Sequence, residues 1–161
     1  MSQPIFAARA AAPARSQARS QVRSSAIPQP RPPQAASDLI AFASRTLSEA
    51  SVAATASQRY AYAYVAALRA AAALLAVRAQ PSRGRPRSAW LLLPRVAPEF
   101  AEWARFFAAC SAKRVAAESG SRVAVSTRES DDMLRDAGVF VMLVAEQLGI
   151  DPQVPLRSVG A

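Results

Sequence analysis

From Arg59 to Gln80 the chain reads RYAYAYVAALRAAAALLAVRAQ, and between Tyr60 and Val77 the only charge is Arg69. A run this long, rich in alanine and poor in β-branched residues, forms a helix and not a strand. Thr55-Ala56-Ser57-Gln58 fits a T-x-x-Q capping box ahead of it, and Pro81 and Gly84 end it, so the helix covers about residues 57–79. Its core stripe is Tyr60, Tyr64, Ala67 or Leu68, Ala71, and Leu74 or Leu75. The alanines on that face let another helix approach closely. The run is not a membrane span: Arg69 stands at its centre, and alanine inserts poorly into a bilayer.

The rest of the chain from Ser37 onward has the same period, and nothing in it reads as a strand. Ser37 and Asp38 offer cap oxygens to a first helix over about 38–54, with Leu39, Phe42 or Ala43, Leu47 and Ala50 returning to one face. Ser88 caps a short turn through Trp90, Leu91 and Leu92, an apolar plug beneath the loop PSRGRPRS. Pro98, Glu99 and Glu102 open a third main helix whose wide face carries Phe100, Trp103, Phe106, Phe107 and Cys110. Ser126 to Glu129 matches an S-x-x-E capping box, after which Met133, Ala137, Phe140, Val144 and Leu148 mark a fourth helix ending at Gly149. The expected fold is all-α, a bundle of four main helices with one short extra helical turn. Residues 37–150 form the helical domain, residues 1–36 a disordered Arg/Pro/Ala-rich arm, and residues 151–161 a C-terminal tail.

Charge and composition narrow the chemistry. The chain has no His among its 161 residues and a single Cys, Cys110. Imidazole-based acid–base or nucleophilic catalysis, His-ligated zinc and internal disulfides are therefore excluded, and the lone thiol points to a reducing compartment. The net charge of +9 comes from arginine, with Lys113 the only lysine. The excess sits in two acid-free places, the arm (Arg9, Arg15, Arg19, Arg23, Arg31) and residues 78–95 (Arg78, Arg83, Arg85, Arg87, Arg95). A GC-rich coding sequence also yields such an excess. The arm imitates a transit peptide but lacks an apolar signal-peptide core, so a soluble cytoplasmic protein is expected.

Three strings, RYAYAYVAALRAAAALLAVRAQPSRGRPRSAW, LLPRVAPEFAEWARFFAACSAKRVAAESG and STRESDDMLRDAG, occur in the order found in an actinobacterial, SAV-type family of the HEPN superfamily, and over about residues 37–150 the chain resembles that family. The superfamily is named for nucleotide binding in higher eukaryotes and prokaryotes. The resemblance implies a compact helical bundle that commonly dimerises, in a superfamily many of whose members bind or cut RNA in toxin–antitoxin and defence settings. Its RNA-cutting members use an Arg followed four to six residues later by a catalytic His. The corresponding positions here are Arg59 and Tyr64, an R-x4-Y remnant without the imidazole. A phenol with an ordinary pKa near 10 is a poor general acid–base group near neutral pH.

Each candidate site has a competing structural reading. Tyr60 and Tyr64, at i and i+4, also suit ordinary core or dimer packing. Arg78, Arg83, Arg85 and Arg87 form a guanidinium cluster able to track phosphates without reading bases, or else a solvated loop. Asp132 and Asp136 share a helical face as a conceivable metal pair, but acids near a helix N-terminus are favoured by the dipole alone. Cys110, with no base to activate it, reads as an inert thiol. Arg69 reads as part of a solvent-facing stripe. No catalytic residue, metal site or cofactor is assigned, and Gly84 and Gly120 belong to no phosphate-cradling motif. The expected function is a non-catalytic binding module for nucleic acid, RNA included, or for a protein partner. The alternatives are a ribonuclease or toxin with an atypical site and a structural subunit of a larger complex. A homodimer burying part of Tyr60, Tyr64, Trp103 or Phe107 is expected, with no membrane partner.

Overall fold

In the computed structural model, which describes residues 31–80, 84, 87–120 and 125–152, all regular structure among the described residues is helical. The elements are α1 (Gln34–Ser51), α2 (Ala56–Arg78), α3 (Ala89–Val96), a 3-10 turn (Pro98–Phe100), α4 (Ala101–Glu118) and α5 (Thr127–Leu148). The chain divides into two units, Met1–Arg31 and Pro32–Ala161, and all five helices belong to the second. The basic arm expected over residues 1–36 falls outside the described residues as far as residue 30. The C-terminal tail falls outside them from residue 153.

Two of the helices, α2 and α5, start on a side-chain cap. The Thr55 hydroxyl accepts the Gln58 N–H at 3.2 Å to begin α2. The Ser126 box is complete: its hydroxyl accepts the Glu129 N–H at 3.2 Å, while the Glu129 carboxylate accepts the Ser126 N–H at 2.8 Å. Helix α5 stops at Gly149, whose φ of 64° is the left-handed conformation that costs glycine nothing. The Ile150 N–H then reaches the Ala145 carbonyl at 2.9 Å in a Schellman-type ending. Helix α1 corrects the expected cap. It begins one turn before Ser37, on the Pro33 carbonyl, which accepts from Ala36 and Ser37. The extra turn buries Ala36 beneath the same core as Ile40, a gain that Ser37 or Asp38 as a cap would forgo. It also ends earlier than expected, at Ser51.

Helix α2 is the centre of the bundle. It packs against α1 and α5 most extensively and is further covered by α3 and α4. Tyr60, Ala63, Tyr64, Ala66, Ala67, Ala70, Ala71, Ala73 and Leu74 are all buried, so the buried surface wraps much more of the helix than a single stripe. By length and composition α2 is the one described helix able to cross a bilayer. With 56 % of its most apolar window buried inside the bundle, it is the core helix of a fold compatible with a soluble protein.

The second layer is aromatic. Trp90 of α3 stacks on Phe107 of α4 with ring centroids 4.9 Å apart, and Phe107 meets Phe140 of α5 at 5.2 Å. Phe100 closes edge-on against Phe140 at 5.7 Å. Helix α3 is longer than the expected turn and is anchored by Trp90 and Leu93, while Leu91 is 66 % exposed; Ser88 makes no side-chain cap. The expected plug is therefore shifted along the helix. Pro98 opens a separate 3-10 turn before α4 instead of the first turn of α4 itself.

Candidate functional site

Arg59 and Tyr64 lie five residues apart on α2, about 140° around the helix at 3.6 residues per turn. The structure sends them to different neighbours. Arg59 reaches α5, where its Nη1 pairs with the Asp131 carboxylate at 2.5 Å, and its buried Nε lacks a hydrogen-bond partner among the described residues. Tyr64 turns into the aromatic core, 2 % exposed, and its hydroxyl accepts the Trp90 indole N–H at 2.7 Å. Its ring is met edge-on by Trp90 and Phe107, and the Arg114 guanidinium lies 5.3 Å from its centroid. Burial raises the Tyr64 pKa, against the opposing pull of the Trp90 hydrogen bond and of Arg114. That phenol is held neutral and away from solvent.

The surrounding polar groups are matched to one another. Burial pushes the Tyr60 phenol, 3 % exposed, and the Cys110 thiol upward, so neither a phenolate nor a thiolate is favoured. Lys113 pairs with Glu129. With the Ser126 cap contacts, this pair holds the Glu129 carboxyl at about 2. Arg135 sits between the two acids considered for metal binding, 2.9 Å from Asp132 and 3.6 Å from Asp136, whose pKa is raised first by burial. Among the described residues no group of three His, Cys, Asp or Glu side chains is placed to hold a metal ion. The burial of Tyr60, Tyr64 and Phe107 within one chain also removes them as surface for a dimer. Of the four residues expected there, only Trp103 keeps partial exposure, on an open groove of about 490 Å³ with Glu99, Phe100, Leu143, Glu146 and Gln147.

The basic loop is only partly within the described residues. Arg83 and Arg85 lie outside them. Arg78, expected in the guanidinium cluster, instead pairs with Glu99 at 2.5 Å and ties the end of α2 to the 3-10 turn. The hydrogen bond from Arg78 lowers the Glu99 pKa. Arg87, just before α3, is exposed, as are Leu91 and Arg95, one turn apart on α3.

One cluster escapes the motif reading. Arg69 does not simply face solvent: its Nη1 reaches across to α1, donating to the Thr46 hydroxyl and, at 3.5 Å, to the Phe42 carbonyl. The Phe42 ring lies beneath two guanidinium groups, those of Arg45 at 4.4 Å and Arg69 at 5.7 Å. The available signal was a charge in the middle of an apolar helix, with an F-x-x-R pair on the neighbouring helix.

Comparison with known proteins fits this architecture. The family model of the SAV_6107-like HEPN domains matches residues 50–145, from the end of α1 to the last turn of α5. No curated protein and no solved structure matches the chain. The matched segment holds four of the five helices and is more than half of the sequence, so this chain, its R-x4-Y remnant included, belongs to the SAV_6107-like HEPN family.

Proposed function

We propose that this chain is a non-catalytic HEPN-type binding module that engages nucleic acid, RNA included, in a sequence-tolerant way. The observation that carries the non-catalytic half is the Tyr64 hydroxyl: it is committed to the Trp90 N–H inside the core, where no substrate reaches it. Arg59, the other member of the remnant, is committed to Asp131. The binding half is supported by an exposed basic stripe of sequence, Arg87 just before α3 and Arg95 within it, which continues the acid-free charge of Arg83 and Arg85. Guanidinium groups on such a stripe neutralise phosphates and carry no base readout. A cytoplasmic homodimer, suggested by the family, would draw on the half-buried Trp103 and on Met142 and Leu143, which are exposed.

Arg78 is already paired, which leaves four arginines in residues 78–95 for phosphates. Contacts confined to these four give a log–log salt slope no steeper than about −3.6 on duplex and about −2.8 on single strands. A gel-shift series in rising salt, run beside an RNA-integrity assay, tests both halves. The expected result is binding that fades toward physiological salt, is weakened in the Arg83→Ala/Arg85→Ala/Arg87→Ala variant, and leaves the RNA intact. Undiminished binding by that variant moves the contact surface elsewhere. Absence of binding at low salt rejects nucleic acid and leaves a protein partner. RNA turnover that is lost on Arg59→Met would replace this reading with a ribonuclease built around the Arg59–Asp131 pair.

A further inference from the structure

Across the α1–α2 face two positive charges are brought together over one aromatic ring. Arg45 and Arg69 both lie over the Phe42 ring, and among the described residues neither makes an ion pair with a carboxylate. Glu49, one turn beyond Arg45 on α1, makes no ion pair with either. Arg69 is held in place by neutral acceptors, the Thr46 hydroxyl and the Phe42 carbonyl, so its position is fixed while its charge is retained. Phe42 is 44 % exposed, and Tyr62, two turns from Arg69 along the same side of α2, is 41 % exposed. Arginine together with exposed aromatic rings is the composition that dominates binding energy at protein interfaces.

We infer that this face is a docking surface for an acidic, apolar-anchored peptide segment of a partner protein. Charge complementarity identifies the occupant, and the stacking geometry refines it. With the Arg45 and Arg69 guanidinium carbons already 4.4 Å and 5.7 Å from its centroid, the Phe42 ring is partly occupied as a stacking platform for a nucleic-acid base. A guanidinium stacked on a ring keeps its N–H edges directed sideways, where a carboxylate accepts two parallel hydrogen bonds. Asp or Glu side chains therefore suit Arg45 and the N–H groups of Arg69 that Thr46 and Phe42 leave open, and aliphatic side chains of the same segment meet the exposed parts of Phe42 and Tyr62. The surface is separate from the α3 stripe: α1 packs on α2 and α5, whereas α3 packs on α2 and α4.

The test uses the full chain and fluorescence anisotropy with a labelled peptide of alternating Glu and Leu, a matched Lys/Leu peptide, and a single-stranded oligonucleotide as competitor. The expected result is saturable, salt-sensitive binding of the acidic peptide only. Arg45→Glu, an exposed change that leaves the helical spectrum intact, should weaken it by about tenfold or more, the loss of one charge-assisted contact. Arg69→Met should weaken it similarly, and Arg87→Ala should leave it unchanged. Equal binding by parent and folded Arg45→Glu overturns the proposal, as does no acidic-peptide binding at low salt. Displacement of the peptide by oligonucleotide in the parent but not in Arg45→Glu would assign the face to nucleic acid and also overturn it. Since the nucleic-acid reading is tested by changes in the α3 loop, the two can fail independently.

Discussion

Helix α2 borders two polar environments, and they are balanced differently. Toward α4 and α5 the cations beside it meet acids: Arg59 meets Asp131, Lys113 meets Glu129, Arg114 meets Glu118, and Arg135 meets Asp132 and Asp136. Toward α1, Arg45 and Arg69 share an aromatic ring and no carboxylate. Charge on the first side is structural, because each group is half-buried or close to a group that is, and burial without a partner is costly. Charge on the second side remains available for binding. Arg59 and Tyr64 fall on the balanced side, each already committed to a neighbour, Asp131 for one and Trp90 for the other.

The comparison is broken most severely through the core that supports the balanced side. Phe107 is fully buried and in ring contact with Tyr64, Trp90, Trp103, Phe106 and Phe140. Phe107→Ala should cost about 3–5 kcal/mol, the usual range for an aromatic truncated in a core. Denaturant unfolding should show a midpoint displaced far below the parent. A loss under 1 kcal/mol would mean that the ring cluster is loosely packed.

Tyr64→Phe removes a single oxygen and leaves the Trp90 N–H buried without its acceptor, at a cost of about 1–3 kcal/mol. The same change should leave nucleic-acid binding, measured on the folded variant, where it was. If it instead abolishes binding while stability holds, Tyr64 is part of a site and the balanced side is more than structural.

Much of this organisation was legible in the sequence, for physical reasons that can be named residue by residue. Ser126 and Glu129 announce α5 because a capping box is local, and Gly149 ends it by a conformation that glycine adopts freely. The all-α class follows from periodicity alone. Helix α1 was misplaced by a turn because the burial of Ala36 is a tertiary effect, invisible to a search for cap residues. The role of Tyr64 was open because i, i+4 spacing gives a face and not the neighbour it meets. Arg78–Glu99 and Arg69–Phe42 join residues 21 and 27 positions apart, and no local pattern encodes such pairs.

Acid should probe the balanced side more gently. The Glu129 carboxyl is lowered to about 2 in the fold by Lys113 and the Ser126 contacts, from an ordinary value of 4.5. A depressed folded pKa means stability that is complete above the unfolded value and is lost as pH falls from there toward 2. Because the side chain is 44 % exposed, solvent screening holds the contribution to under about 1 kcal/mol. Asp136 acts in the opposite sense: its raised pKa makes the folded state the better proton binder, so acidification favours folding at that position. Glu129→Gln should flatten the loss of stability between pH 5 and pH 3, and Asp136→Asn should steepen it. Identical acid limbs in all three proteins would show that neither carboxyl is coupled to folding.

The smallest effect is expected where the charge is unbalanced. Arg69→Met keeps most of the apolar stem, and Thr46 remains satisfied because its hydroxyl also donates to the Phe42 carbonyl at 2.9 Å. No ion pair is lost. Removing one of two like charges that share a ring also relieves their repulsion, which offsets the lost hydrogen bond from Arg69. The stability change should therefore stay within about 0.5 kcal/mol, the range of ordinary surface substitutions. Its salt dependence carries the sharper information. Added salt screens repulsion over about 10 Å at 0.1 M, so the parent should gain stability with salt while Arg69→Met gains less. Thermal unfolding of the two proteins across a salt series measures this directly. A parent that loses stability with salt, and a variant that loses less, would mean that Arg69 is balanced by an acid after all and that the two sides of α2 are alike.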